Sequence, residues 1–167
     1  MEAATATSIA STESAIRAIQ DRIDITEVLY RYASTIDKFD YDGLRTTLAD
    51  DVWAQYGNAD PVEGGGALQA WIKEMTANVV WQHHLLSVYH VEIDGDNAKA
   101  LVYHTSHQLF DDDPAHAKLL VGRYHNELRR EDDGWKISKL VLELLWGEAK
   151  FDAAGYLDLV GGRGPQV

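Results

Sequence analysis

The stretch WQHHLLSVYHVEIDGDNAKA, residues 81–100, is the one whose reading decides the fold. It opens as an apolar run containing β-branched and aromatic residues, and DGDN is a hairpin turn signal. The run is expected to be a strand, and AKALVYHTSHQLF, from Ala98, its returning partner. The adjacent pair His83 and His84 is the unusual feature. A strand needs no imidazole, and neighbouring strand residues face opposite sides. One of the two therefore points toward the covered face of a sheet and the other away.

Working outward, KLLVGRYHNELRR and GWKISKLVLELLW are two more strand-like runs joined by EDDG, and DDDPAHA is a longer turn. Four such runs in succession predict an antiparallel meander. Upstream the period changes. Ile16, Ile19 and Ile23, then Ile25, Val28, Leu29, Tyr32, Ala33 and Ile36, recur at helical spacing. Asp24 followed by Glu27 has the form of a capping box and predicts a second helix ending near Phe39. A short helix over 41–48, a strand at DDVWAQYG, a Pro/Gly loop at NADPVEGGG and a helix in ALQAWIKEMTANVV follow. Helices first and a meander second is an α+β order, with helices on one face of a curved sheet.

The 167 residues fit one domain. The expected division is a flexible arm over 1–12, a single domain over 13–150 and a tail over 151–167. A net charge of −12 disfavours nucleic acid and anionic membranes as partners. The absence of cysteine excludes disulfides, thiolate nucleophiles and cysteine metal sites. No apolar stretch approaches the roughly 20 residues that span a bilayer. The opening MEAATATSIASTES lacks the basic region and apolar core of a secretory signal, so a cytoplasmic location is expected.

Asp37 sits at the end of the long helical pattern, on the edge of its apolar face. The helix C-terminus is itself negative, so a carboxylate there needs another partner. Tyr32 lies on the same broad face. A histidine oriented by a carboxylate is the standard general base. His104 and His107 face opposite sides of their strand and cannot jointly clamp a metal, and none of the seven histidines forms a helical i, i+4 pair beside an acid. No metal is therefore expected. His116 and His125 read as surface residues. VEGGGA lacks the later glycine and lysine of a phosphate cradle, and there is no G-x-S-x-G elbow.

LYRYASTIDKFDYDGLRTTLADDVWAQY, residues 29–56, then residues 81–100, then GRYHNELRREDDGWKISKL, residues 122–140, resemble the SnoaL-like branch of the nuclear transport factor 2-like superfamily. The similarity covers Ile16 to Trp146. The fold it implies is an α+β cone, in which a strongly bent antiparallel sheet wraps a pocket closed by the N-terminal helices. Within that group the segments are similar to the scytalone dehydratase, bile acid 7α-dehydratase and hexachlorocyclohexane dehydrochlorinase lyases. These use an Asp–His dyad and neither metal nor organic cofactor. The resemblance makes His84 the base, Asp37 its carboxylate and Tyr32 a hydrogen-bond donor. It departs on the last strand: two of those lyases carry an arginine there, whereas SKLVLELLW has none and Lys139 is the nearest cation.

The function expected is therefore a cofactor-independent, dehydratase-type elimination on a small apolar, cyclic or aromatic substrate. Isomerisation or polyketide cyclisation by the same base is the nearest alternative. A different class is a non-catalytic ligand-binding or accessory subunit, like the β subunits of ring-hydroxylating dioxygenases. The Asp37–His84 pairing favours an enzyme, because an accessory subunit has no use for a charged dyad in a pocket. Trp53, Tyr56, Trp81, Val88, Val102, Tyr124, Leu142 and Trp146 are expected to line that pocket. Apolar residues on both faces of the strands further predict a homodimer or larger closed homo-oligomer through the outer face of the sheet.

Overall fold

The computed structural model describes residues 2–152, with side chains from residue 12 to residue 147 apart from residue 114. Helix α1 runs Glu2–Asp37 and α2 Tyr41–Arg45. Strand β1 (Leu48–Tyr56), the short β2 (Val62–Glu63) and helix α3 (Gly65–Met75) follow. The meander is β3 (Val79–Asp94), β4 (Asn97–Phe110), β5 (Asp113–Glu131) and β6 (Gly134–Asp152). The six strands form one curved, open sheet in the order β2-β1-β6-β5-β4-β3. The meander is antiparallel throughout, but β1 joins β6 in parallel, so the sheet is mixed. Helices on one face of this bent sheet give the α+β arrangement expected from the order of elements and the cone shape implied by the family resemblance.

Two helical stretches expected around Asp24 are one helix. No glycine or proline interrupts residues 2–37. The Asp24 carboxylate, rather than capping a new start, accepts a hydrogen bond from Gln20 one turn earlier at 2.8 Å. The helical backbone also reaches back through most of residues 1–12, read above as an arm. Residues 153–167 of the expected tail lie outside the described residues. At its other end α1 stops in a Schellman motif. The Asp40 N–H donates to the Thr35 carbonyl (2.9 Å) and the Phe39 N–H to that of Ile36 (3.0 Å). Phe39 carries the left-handed φ of 57° that this motif demands, a position more often filled by glycine.

One inward stripe of α1, Ile25, Val28, Leu29, Tyr32 and Ile36, packs on the concave face of the sheet with Val102, Tyr124, Leu128, Ile137, Leu140 and Leu142. The register that decides the site is a bulge in β3. Val88 pairs with Val102 but His90 with Leu101, which leaves Tyr89 as the extra residue. Beyond the bulge the odd positions Val91 and Ile93 face the core. Before it the even positions Gln82, His84, Leu86 and Val88 do. The bulge is thus what turns His84 inward and leaves His83 on the exposed face.

Candidate active site

The inner face of β3 grips the end of α1 at two successive inward positions. Gln82 donates from its side-chain amide to the Ile36 carbonyl at 2.6 Å. His84 takes the next residue. Its backbone N–H donates to Asp37 Oδ2 at 3.0 Å, and its ring Nδ1 lies 2.5 Å from Asp37 Oδ1. Both carboxylate oxygens are occupied by one residue, which supplies the partner that a carboxylate at a helix C-terminus requires. The His84 side chain is largely buried and Asp37 is partly open. A neutral imidazole that donates from Nδ1 keeps its lone pair on Nε2, the arrangement of a positioned general base.

From His84 a series of ring contacts crosses the interior. The His104 ring lies 5.2 Å from His84, and Tyr124 lies edge-on to His104 at 5.1 Å. Tyr32 stands at 80° to Tyr124, 6.1 Å away. The Tyr32 and Tyr56 hydroxyls are hydrogen-bonded to each other, and Tyr56 stacks on Trp71 at 4.8 Å. Burial pushes the pKa of all three tyrosines up. The neighbouring hydroxyl adds to the effect at Tyr32, as do Tyr32 and Asp37 at Tyr124. These phenols are therefore neutral hydrogen-bond donors rather than bases.

His104 is only 3% exposed, and neither of its ring nitrogens has a hydrogen-bond partner within the protein. Burial first, and then the neighbouring His84, lower its pKa to about 4, against the opposing pull of Asp37. It is a neutral imidazole with an unused N–H and an unused lone pair. Ser106 Oγ and Asn126 Oδ1, also buried and inward, share this unsatisfied state. Buried polar groups are normally paired, so an interior with several unpaired ones is suited to a ligand that supplies the partners. Among the described residues no group of three or more His, Asp or Glu side chains is placed to hold a metal ion.

Of the residues anticipated from sequence, Tyr32, Asp37, His84, Tyr56 and Tyr124 come together, with Val88, Val102 and Leu142 in the same core. Three tryptophans do not join them. On β1, Val52 and Ala54 point inward, so alternation turns Trp53 outward, under the Lys139 ammonium at 5.6 Å. Trp81 packs on Leu109 and Ala117 at the far end of the sheet and stacks on the exposed His83. Trp146 is exposed, just past a register shift between Val121 and Gly122 on the neighbouring strand. Lys139 is also outside, 3.6 Å from Glu127. Sequence reasoning missed His104, Ser106, Asn126 and Trp71. Alternation from Val102 already places His104 and Ser106 on its face. Trp71 lies in the helical pattern that also contains Leu68 and Ile72.

This fold is the cone-shaped α+β architecture of the nuclear transport factor 2-like type. The chain belongs to the SnoaL-like domain family, whose model matches residues 17–141. It is 27% identical to the uncharacterised protein Rv2910c of Mycobacterium tuberculosis over 124 residues, 74% of this chain and 84% of that one. Among solved structures it is similar to the Kfla4162 protein of Kribbella flavida, with 26% identity and a TM-score of 0.73 over 78% of this chain and 95% of that one. It is similar in fold to the hexachlorocyclohexane dehydrochlorinase LinA-type3 of Novosphingobium barchaimii. There the identity is 15% and the TM-score 0.73, over 80% of this chain and 92% of that one.

Proposed function

We propose that the chain is a cofactor-independent lyase that eliminates water, or a comparable leaving group, from a small apolar cyclic or aromatic substrate. The observation that carries this reading is the double contact of His84 with Asp37 where the inner face of β3 meets the end of α1. In the proposed reaction His84 Nε2 takes the proton from a carbon beside a carbonyl. The C–H electron pair moves into the enolate, and Asp37 stabilises the imidazolium that forms. The Tyr32–Tyr56 pair has two hydroxyl protons and uses one in its mutual bond, so one remains to donate to the enolate oxygen. Collapse of the enolate expels the β-hydroxyl. The proton on His84 leaves with it as water, which restores the neutral base. His104, neutral and unpartnered, lies close enough to His84 to hydrogen-bond the departing hydroxyl.

The same base would serve an isomerase or cyclase, in which the enolate is reprotonated or attacks a carbonyl instead of losing a group. The test is a screen of hydroxy-ketones, steroids and aromatic polyketides for loss of water by mass spectrometry, with His84→Ala in parallel. Dehydration by the native chain and not by the variant supports the lyase. A product of unchanged mass points to the isomerase, and ligand binding without turnover to an accessory role.

We also propose that the protein works in the cytoplasm as a homo-oligomer through the outer face of the sheet. Leu85, Tyr89, Tyr103 and Trp146 are exposed on the outward side of β3, β4 and β6, an apolar group that an outer sheet face in water does not usually carry. The cysteine-free composition is compatible with a reducing compartment.

A further inference from the structure

Helix α1 has a second apolar stripe, turned away from the domain. Ile16, Ile19 and Ile23 are 61%, 62% and 50% exposed, and Tyr30 is 42% exposed. The described α1 side chains from residue 12 to residue 20 are all exposed, so this part of the helix projects without cover from its own core. Positions 16, 19, 23, 26 and 30 follow the alternating three-and-four spacing of a coiled-coil seam. Thr26 is compatible with such a seam, because its hydroxyl is already bonded to the Arg22 carbonyl at 2.8 Å.

The charges beside the stripe say what kind of partner fits it. With Ile16 and Ile23 at the first seam position of each heptad, Arg22 flanks the seam on one side and Glu27 on the other, and both are exposed. Arg22 Nη1 also donates to the Val91 carbonyl at 3.2 Å, which leaves its other guanidinium N–H groups to meet a partner. In a parallel, in-register pair of helices, each such residue meets the one five positions later on the opposite chain. Arg22 of each copy then faces Glu27 of the other. An antiparallel pair would instead set Glu13 against Glu27, and like charges oppose that arrangement.

We propose that a second copy of this chain covers the stripe, forming a parallel, in-register two-helix seam over residues 16–30. The seam is self-complementary about a two-fold axis, as an isologous interface must be. It lies on the opposite side of α1 from the sheet, so it is independent of the outer-face contact proposed above and of any catalytic role.

The chain contains no cysteine, so a single introduced thiol reports on one contact only. The full chain carrying Ile16→Cys or Ile23→Cys is oxidised at micromolar concentration and run on a non-reducing gel, with Tyr89→Cys as a marker of the sheet face. The seam predicts a covalent dimer from each of the two α1 variants alone. Adding Glu27→Arg, or Arg22→Glu, should weaken dimer formation by about tenfold through like-charge pairs. Mixing the Arg22→Glu chain with the Glu27→Arg chain should restore it, because opposite charges then meet at both positions. The proposal is overturned if neither α1 variant cross-links alone, which is the result for a stripe covered by another protein or by the chain itself. It is equally overturned if Ile16→Cys links only to Ile23→Cys in a mixture, the antiparallel outcome, or if the charge changes have no effect.

Discussion

His84 binds Asp37 twice, through ring Nδ1 at 2.5 Å and through its own backbone N–H at 3.0 Å. The second bond fixes the carboxylate relative to β3 whatever the imidazole does, so the ring is aimed by a group that cannot swing away. His84→Ala should lower kcat by about 10²–10⁴-fold on any substrate the protein dehydrates. Asp37→Asn should cost nearly as much, because tautomer and imidazolium both depend on the carboxylate. His83→Ala, on the exposed face, should change kcat little. Steady-state kinetics of the three variants check this. Full turnover by His84→Ala, or an inactive His83→Ala, would show that His84 is not the base.

The Tyr32–Tyr56 contact gives a prediction that separates stability from chemistry. Tyr32→Phe leaves the Tyr56 hydroxyl without its partner inside the core, at a cost of about 1–3 kcal/mol in unfolding free energy. Adding Tyr56→Phe removes the orphaned hydroxyl and should recover part of that stability. Turnover should instead fall further, because the single variant keeps the Tyr56 hydroxyl as donor to the enolate and the double variant has none. Denaturant unfolding and kcat measured on the same two variants report the two effects independently.

His104 predicts how stability depends on pH. Its folded-state pKa of about 4 lies below the unfolded value of about 6.5, so as pH falls the unfolded chain takes up the proton first. The stability associated with a neutral His104 is present above about pH 6.5 and lost between there and about pH 4, on the order of 3 kcal/mol in all. His104→Leu should flatten this part of the profile. Thermal denaturation of both proteins across that window shows whether the slopes differ. Parallel curves would mean that His104 is not the group responsible.

Two outcomes concern what the chain does not need and what it joins. A chelator should leave turnover unchanged, since no described cluster of His, Asp or Glu is placed for a metal. Light scattering should show a mass above the 18.6 kDa of one chain, and Leu85→Glu with Tyr89→Glu should disrupt the sheet contact. A native monomer at micromolar concentration would refute the outer-face interface.

The order of elements was legible in the sequence because each change of periodicity shows: helical to residue 45, alternating in DDVWAQYG, helical again in ALQAWIKEM, and alternating from near residue 80. The identity of the inward histidine was harder. Counting back from a two-residue turn at Gly95 and Asp96 pairs His84 with His107. The actual partner is Ser106, because the Tyr89 bulge slips the register by one. Hydrophobicity does not report such a slip, and it does not tell Trp53 or Trp146 which face of a strand to occupy. His104 was visible as a residue but not as a site. What distinguishes it is the lack of any partner for its nitrogens, a property of the packed interior rather than of spacing. Asp24 shows the opposite failure: a good local cap signal was overridden because nothing in α1 breaks the helix.

The central claim is that Asp37 holds His84 with Nδ1 as donor and Nε2 as the open base. Nitrogen-15 NMR of the imidazole rings at about pH 8, where an ordinary histidine is neutral, measures this without a known substrate. The account predicts that the His84 proton resides on Nδ1, with Nε2 carrying the lone pair, and that Asp37→Asn abolishes this preference. A His84 ring protonated on Nε2 in the native protein would contradict it.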